Sequence, residues 1–488
     1  MGRTEVSHDS GTDVVLWPCC RIFPALYGSD RRLSVLCAGG DFCIYRAEMV
    51  PGAGIFTDRN LCRIPGGGEW GIHDAYVGIC SDSAWNSGSV RSTPSEKSES
   101  GGSMQQNKLV YLDGLKGFGC VCVFLTHFVF AFYYGMYHYQ PEACHLPDNL
   151  DIVIGKSPLN LLFNGNTAVR LFLVISGFVL CRSFFATGDK NRLKRSAAKR
   201  YFRLMPTVLV INVLIWLAMV LGLYQNGPAA ALAGSEEWFA GFNAFAPSFV
   251  EMLKESLYGC FLFGTNKYNG VLWTLQMLFL GAYLDYGCAA LLSGKKWRWI
   301  VYGVLAVVLL RTDFIGIFLG YVLCDFMHTD WNVKEKICSS KVLNWVFFAV
   351  GLYFMCYPSA GFGYEGTIWG ILPFVFVNYY HLFGVLLFVF SVLNLEPVQQ
   401  FFSLGVFQYL GRISYSLYLI HFLVIATLGS WFFLIAEPLY GYNLTCFLNL
   451  ILISAVTGLL SELSVRYVEP LGKKGEAFIE KRMFRKHE

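Results

Sequence analysis

Charge is the scarcest commodity in this chain. Asp, Glu, Lys and Arg make up 15% of its 488 residues, where soluble domains carry about 25%. That shortage excludes an ordinary soluble enzyme and a charged disordered protein. No paired CxxC spacing occurs among the 16 cysteines, so neither a zinc site nor a disulfide framework is read. Several cysteines (Cys120, Cys122, Cys181, Cys288) sit in apolar runs, where they act as small hydrophobes. The net charge of +4 is too weak to imply a nucleic-acid partner. No repeat of 20–50 residues is visible, and no basic stretch leads into an apolar signal-peptide core. No Gly-x-Ser-x-Gly elbow marks Ser176 as a nucleophile. What is abundant is apolar: 55% of residues are hydrophobic and 17% aromatic. Most of the chain belongs in lipid.

Residues 1–103 are different. They are rich in Gly and Ser and end in Ser92–Ser103, STPSEKSESGGS, a linker-like stretch. Two readings stand: Met104 is the true start and residues 1–103 are absent from the native protein, or they are a poorly ordered cytoplasmic extension. Residues 104–472 form the membrane domain and 473–488 a basic cytoplasmic tail.

Apolar runs recur near 114–134, 167–186, 204–224, 269–293, 297–310, 312–328, 343–358, 375–395, 408–435 and 443–467. Each suits a bilayer that about 20 helical residues cross. The fold class expected is all-α, a polytopic bundle of about ten transmembrane helices. Arg311 and Asp313 interrupt the fifth and sixth runs, which read as a tight hairpin. The most basic stretch, Lys190 to Arg203, reads as a loop between the second and third spans. With Lys295, Lys296 and Arg298, with Lys334, Lys336 and Lys341, and with the tail, it falls on one side when ten spans are counted. Basic loops stay cytoplasmic, so both termini are expected there and the protein in the plasma membrane.

Polar groups within a span are costly and mark function by default. The first span carries Lys116 and, eleven residues on, His127. On an α-helix they lie roughly 20° from one face and about 16 Å apart along the axis. A cation near the cytoplasmic mouth and an imidazole near mid-membrane suit a phosphate-bearing donor that enters from the cytoplasm. Asp113 lies one turn from Lys116 and can pair with it. The blander alternatives are an imidazole that bonds a neighbouring helix and a lysine that snorkels. Loop 135–160 holds His138, Glu142, His145, Asp148 and Asp151, but at no trusted metal spacing. It reads as a solvated acceptor-side loop, with no metal. Tyr133, Tyr134, Trp297 and Trp299 read as interface anchors.

Five segments together resemble the membrane acyltransferase 3 family. They are Leu112-Asp-Gly-Leu-Lys116-Gly with His127, Leu171–Phe178 around Ser176-Gly177, Arg200-Tyr-Phe-Arg203, Trp273-Thr-Leu275, and Gly411–His421 with Ser414, Tyr415 and Tyr418. The match runs from about 108 to 470. It departs at Leu278, where the family usually has an acid; Asp285, two turns on, is a candidate substitute. The resemblance implies an O-acyltransferase. It moves an acyl group, commonly acetyl, from acetyl-CoA to a hydroxyl of a cell-envelope or secreted glycan. It also implies catalytic His127 with Asp113, and donor-binding Lys116, Arg200 and Arg203. His421, Tyr415, Ser414, Trp273 and Arg170 are the acceptor-side or supporting candidates. His127 acts as general base or as acyl carrier. No cofactor is permanently bound; acyl-CoA is a substrate, and the partners are the hydroxyl-bearing acceptor and membrane lipid. The competing readings are a transporter without chemistry and an inactive relative serving as a scaffold.

Overall fold

A computed structural model of the chain describes residues 109–484, without 361–363 and 365, and a pair of two-residue strands near the N-terminus. Those strands, Val35–Leu36 and Phe42–Cys43, pair antiparallel in a unit of their own. The rest of 1–108, and with it the reading of 1–103 as an extension, lies outside the described residues, as do residues 485–488 of the tail.

The membrane unit is helical. Its principal helices are α1 (Val110–Phe132), α2 (Gly165–Thr187), α3 (Lys190–Val220), α4 (249–262), α5 (Trp273–Leu292) and α6 (Arg298–Leu309). They continue as α7 (Phe314–Met327), α8 (Lys341–Met355), α9 (Val377–Asn394), α10 (Gly405–Tyr440), α11 (Tyr442–Tyr467) and α12 (Glu469–Phe484). Every apolar run is a helix. Among the described residues, seven helices are long and apolar enough to cross a membrane, the seventh being α11 continued by α12. The count rises to eight if α8 is joined to Asn332–Ser339, from which it is bent by 77°. Helices α6 and α7 are shorter and apolar.

Helices α6 and α7 run in opposite directions, whereas α1 and α10 run parallel. At one end Gln408 Nε2 donates to Val110 O at 2.7 Å, and Arg298 Nε meets Asp325 Oδ2 at 2.6 Å. At the other, the Tyr442 hydroxyl donates to Phe132 O, and Asn164 Nδ2 donates to Tyr357 O at 3.2 Å. Small residues set the closest crossings. A Cβ on Gly177 of α2 would lie 1.8 Å from Ile317 O of α7, and one on Gly320 of α7 would lie 2.0 Å from Val174 O of α2. The Ser176-Gly177 pair thus permits backbone contact, as small residues do between membrane helices. Gly117 and Gly411 do the same for α1 and α10.

One expectation fails here. The basic stretch from Lys190 to Arg203 is no loop: it is the first part of the unbroken 31-residue α3. Asp189 caps that helix with its side chain on Asn191 N at 2.9 Å, and its lysines and arginines are good helix formers. The tail is helical as well. α12 packs along α3 and sets Glu476 3.8 Å from Arg203 and Glu480 3.2 Å from Arg195, with Lys199 also on Glu480. Pro206 deprives the Phe202 carbonyl of its helical donor, and Gly472 of α12 packs against that carbonyl.

Candidate active site

Helices α1 and α10 cross at Gly117 and Gly411 and run side by side from there. Ten residues past Gly117 is His127; ten past Gly411 is His421. Equal rises of about 15 Å bring the two imidazoles level. His421 Nε2 and His127 Nδ1 are 3.0 Å apart across 294 residues of sequence. His421 Nδ1 lies 3.1 Å from Leu417 O and His127 Nδ1 lies 3.1 Å from Val123 O.

These contacts assign the protons. A carbonyl only accepts, so His421 holds its proton on Nδ1 and, when neutral, presents the Nε2 lone pair. His127 Nδ1 then donates, toward Val123 O and His421 Nε2, and the His127 lone pair sits on Nε2. That is the tautomer a general base needs. His127 is 4% exposed and His421 fully buried.

Aromatic rings hold the pair. Trp238 stacks on His127 with ring centres 5.7 Å apart and planes 25° apart. Phe422 meets His127 edge-on at 5.5 Å, and Phe124 meets His421 edge-on at 6.3 Å. The Tyr418 ring lies 5.9 Å from His421, and its hydroxyl donates to Val271 O at 2.5 Å and lies 3.3 Å from Thr274 Oγ1. Thr274 of the Trp-Thr-Leu element meets α10, and Trp273 is half-buried at the head of α5. Ser414 is buried and donates to Gly411 O at 2.9 Å, while its own carbonyl lies 3.3 Å from Cys120 Sγ. It serves the α1–α10 contact.

The other expected residues lie apart from the imidazoles. Asp113 pairs with Lys116, Nζ to Oδ1 3.6 Å, and Lys116 is 2% exposed. Asp113 is fourteen residues from His127, about 21 Å along one helix. It pairs with Lys116, far along the helix from the imidazole. Arg200 is buried and donates to Leu278 O from Nε at 3.3 Å and Nη2 at 2.9 Å. Arginine thus meets α5 through the backbone at the very position where the family's acid is missing. Asp285 is fully buried two turns on, with neither carboxylate oxygen hydrogen-bonded. One turn beyond Arg200, Leu204 O accepts the Tyr415 hydroxyl at 2.9 Å. Tyr415 is six residues before His421, about 9 Å of rise. Arg170 joins α2 to its neighbours: Nε donates to Asn378 O at 3.1 Å, Nη1 bonds Asn166, and Nη2 is 3.9 Å from Asp313.

Loop 135–160 is solvated in part: Glu142 and Asp148 are exposed, while other residues pack. Asp151 is fully buried and accepts from Leu146 N at 2.7 Å, and His145 stacks on Tyr442 at 3.6 Å. No group of three or more His, Cys, Asp or Glu stands ready to hold a metal among the described residues. The reading by motif missed Trp238 entirely. The only signal was the density of aromatics in Trp238-Phe-Ala-Gly-Phe242-Asn-Ala-Phe245.

Acyltransferase R4 of Phoma sp. (strain ATCC 20986 / MF5453) is 22% identical over 409 residues, 68% of this chain and 86% of that protein. O-acetyltransferase OatA of Staphylococcus aureus (strain NCTC 8325 / PS 47) is 24% identical over 362 residues, 67% of this chain. The match spans 56% of OatA, little more than half its length. No solved structure matches. The model of the acyltransferase domain matches residues 109–461, the stretch that carries both imidazoles, and the chain belongs to the membrane acyltransferase 3 family.

Proposed function

We propose that this protein is an O-acyltransferase of the plasma membrane. It moves an acetyl group from cytoplasmic acetyl-CoA to a hydroxyl of a cell-envelope or secreted glycan. The observation that carries the reading is the buried His127–His421 contact at 3.0 Å, built from two family motifs at opposite ends of the domain. OatA, an O-acetyltransferase by name, supports the acetyl and oxygen assignments.

In this reading His127 Nε2 takes the proton of the acceptor hydroxyl as the oxygen attacks the thioester carbonyl. The tetrahedral intermediate collapses to the ester and expels the thiolate of CoA. His127 returns the proton to that sulfur, so the products are the ester and free CoA. His421 acts through His127: its Nε2 accepts from Nδ1–H, holds the tautomer and stabilises the transient imidazolium. A carboxylate partner is not needed for orientation, since a neutral imidazole supplies it.

The donor's phosphates belong at the opposite end of α1. Lys116, Arg200 and Arg203 mark that end, and guanidinium groups suit phosphate. Ten spans with both termini cytoplasmic put that end inside, and the alternating contacts at the two ends support the arrangement. His127 then lies five residues from the outer end of α1, nearer the outer face than mid-membrane.

The test uses membranes containing the full chain, supplied with acetyl-labelled acetyl-CoA, with His127→Ala as control. Label in a glycan only with the parent establishes the reaction. Equal transfer by folded His127→Ala removes His127 from it. Absence of both transfer and CoA release overturns the donor assignment.

A further inference from the structure

Four side chains beside the imidazole pair have no part in the chemistry above. Trp238 lies in the segment between the short helix Asn226–Ala233 and α4. That segment is pinned. Ser235 Oγ donates to Ala131 O at 2.8 Å, Asn226 Nδ2 donates to Phe239 O at 2.7 Å and Phe242 O at 3.0 Å, and Asn243 Nδ2 donates to Tyr268 O at 2.9 Å. Its indole is therefore a fixed wall, parallel to His127 and half-buried. The next residue back, Glu237, is exposed, and its Oε2 accepts from the Tyr134 hydroxyl at 3.3 Å. Tyr134 in turn stacks on His138 at 4.2 Å, with planes 24° apart. Phe130 ties the group to the reacting centre: its ring lies 4.8 Å from Trp238, 5.6 Å from His138 and 6.5 Å from His127. His138 Nε2 is buried with no hydrogen-bond partner among the described residues.

We propose that Trp238, Glu237, Tyr134 and His138 form the acceptor-docking site, and that it takes a polyhydroxylated ring, a sugar, in preference to a lipid alcohol. This rests on the acyltransferase reading and adds to it the residues that choose the acceptor. A sugar ring has an apolar C–H face and a polar edge. The part of the half-buried indole that stays accessible receives the first. A carboxylate accepts from hydroxyls, and an imidazole nitrogen without a partner exchanges a bond with one. Burial lowers the pKa of His138 to about 4, so it is neutral at pH 7 and bonds a hydroxyl without repelling or attracting charge. A lipid alcohol has a single hydroxyl for His127 and would leave the buried His138 Nε2 unsatisfied, which is how polar sites reject analogues. The site lies at the C-terminal end of α1, opposite the cations assigned to the donor, so the two substrates meet at the imidazoles from opposite ends.

The experiment uses the full chain in nanodiscs. Binding of glucose-, mannose- and N-acetylglucosamine-based tetrasaccharides is measured by saturation-transfer NMR, and transfer is measured from labelled acetyl-CoA to each sugar and to farnesol. Glu237→Gln, His138→Gln, Trp238→Ala and the conservative Trp238→Phe are compared with the exposed neighbour Glu236→Gln. We expect at least one tetrasaccharide to bind the parent. Its Kd and KM should rise about tenfold in Glu237→Gln and His138→Gln, more in Trp238→Ala and less in Trp238→Phe. Glu236→Gln should match the parent. A parent that binds none of the sugars, or transfers to farnesol in preference, overturns the proposal. So does Glu236→Gln weakening binding as much as Glu237→Gln, since surface charge alone would then explain it. Because sugar binding is read without turnover, and acetyl-CoA binding without acceptor, failure of this site is told apart from failure of the acyltransferase reading.

Discussion

At the level of single residues, the site turns on which imidazole nitrogen holds a proton. His421 fixes it by accepting from His127. Removing His127 should lower transfer about 10²- to 10⁴-fold, the usual contribution of a general base, with the folded protein retained in detergent. His421→Gln should keep part of the rate, because an amide oxygen near the place of Nε2 still accepts from His127. His421→Ala should lose more, and the difference in kcat at unchanged donor KM is the measurement. His138 supplies a pH test. Burial lowers its folded pKa from 6.5 to about 4, so between those values the unfolded chain binds a proton that the folded one does not. Its contribution to stability is complete above pH 6.5 and is lost as pH falls toward 4. His138→Gln should flatten that part of the unfolding-temperature profile relative to the parent.

At the level of elements, backbone contact between helices carries the architecture. Gly177→Ala places a methyl where Ile317 O already sits, at 1.8 Å. The helices must separate, and a loss of about 1–3 kcal/mol or more is expected, read as a lower melting temperature in detergent. The α3–α12 contact is electrostatic instead. Glu476 and Glu480 meet Arg203, Lys199 and Arg195 on partly exposed surface, where ion pairs are weak singly and screened by salt. The double variant Glu476→Gln/Glu480→Gln should release α12, and tryptic cleavage after Lys473 and Lys474 should accelerate severalfold. An unchanged cleavage rate would show that Gly472 packing alone holds the helix.

Taken whole, the molecule sets two motif helices, α1 and α10, side by side and parallel though they open and close the domain. Impermeant maleimide tests the sidedness. Glu142→Cys should add labelling over the parent in intact cells, whereas Lys481→Cys should add it only after permeabilisation. The reverse pattern would invert the topology and, with it, the side from which the donor enters.

Much of this was legible in the linear chain. Long apolar runs dictate helices because lipid leaves the backbone no other partner. Lys116, His127 and His421 stand out because a polar group in such a run is costly. Local patterns fail where partners come from afar. Asp113 pairs with Lys116 close by, while helix rise separates it from His127. The basic stretch before Arg203 looked like a loop because its charge breaks the apolar run, yet α12 supplies the carboxylates that hold it beside the bundle. Leu278 stands where the family usually has an acid, and Arg200 meets its backbone carbonyl, a contact no side-chain pattern reveals. The sequence by itself determined that the chain is helical, lives in membrane and carries two costly imidazoles. Only the tertiary structure decided that those imidazoles touch, which nitrogen holds the proton, and that Trp238 stands over them. Those contacts join residues about 100 to 300 positions apart, and no local pattern encodes a distance between them.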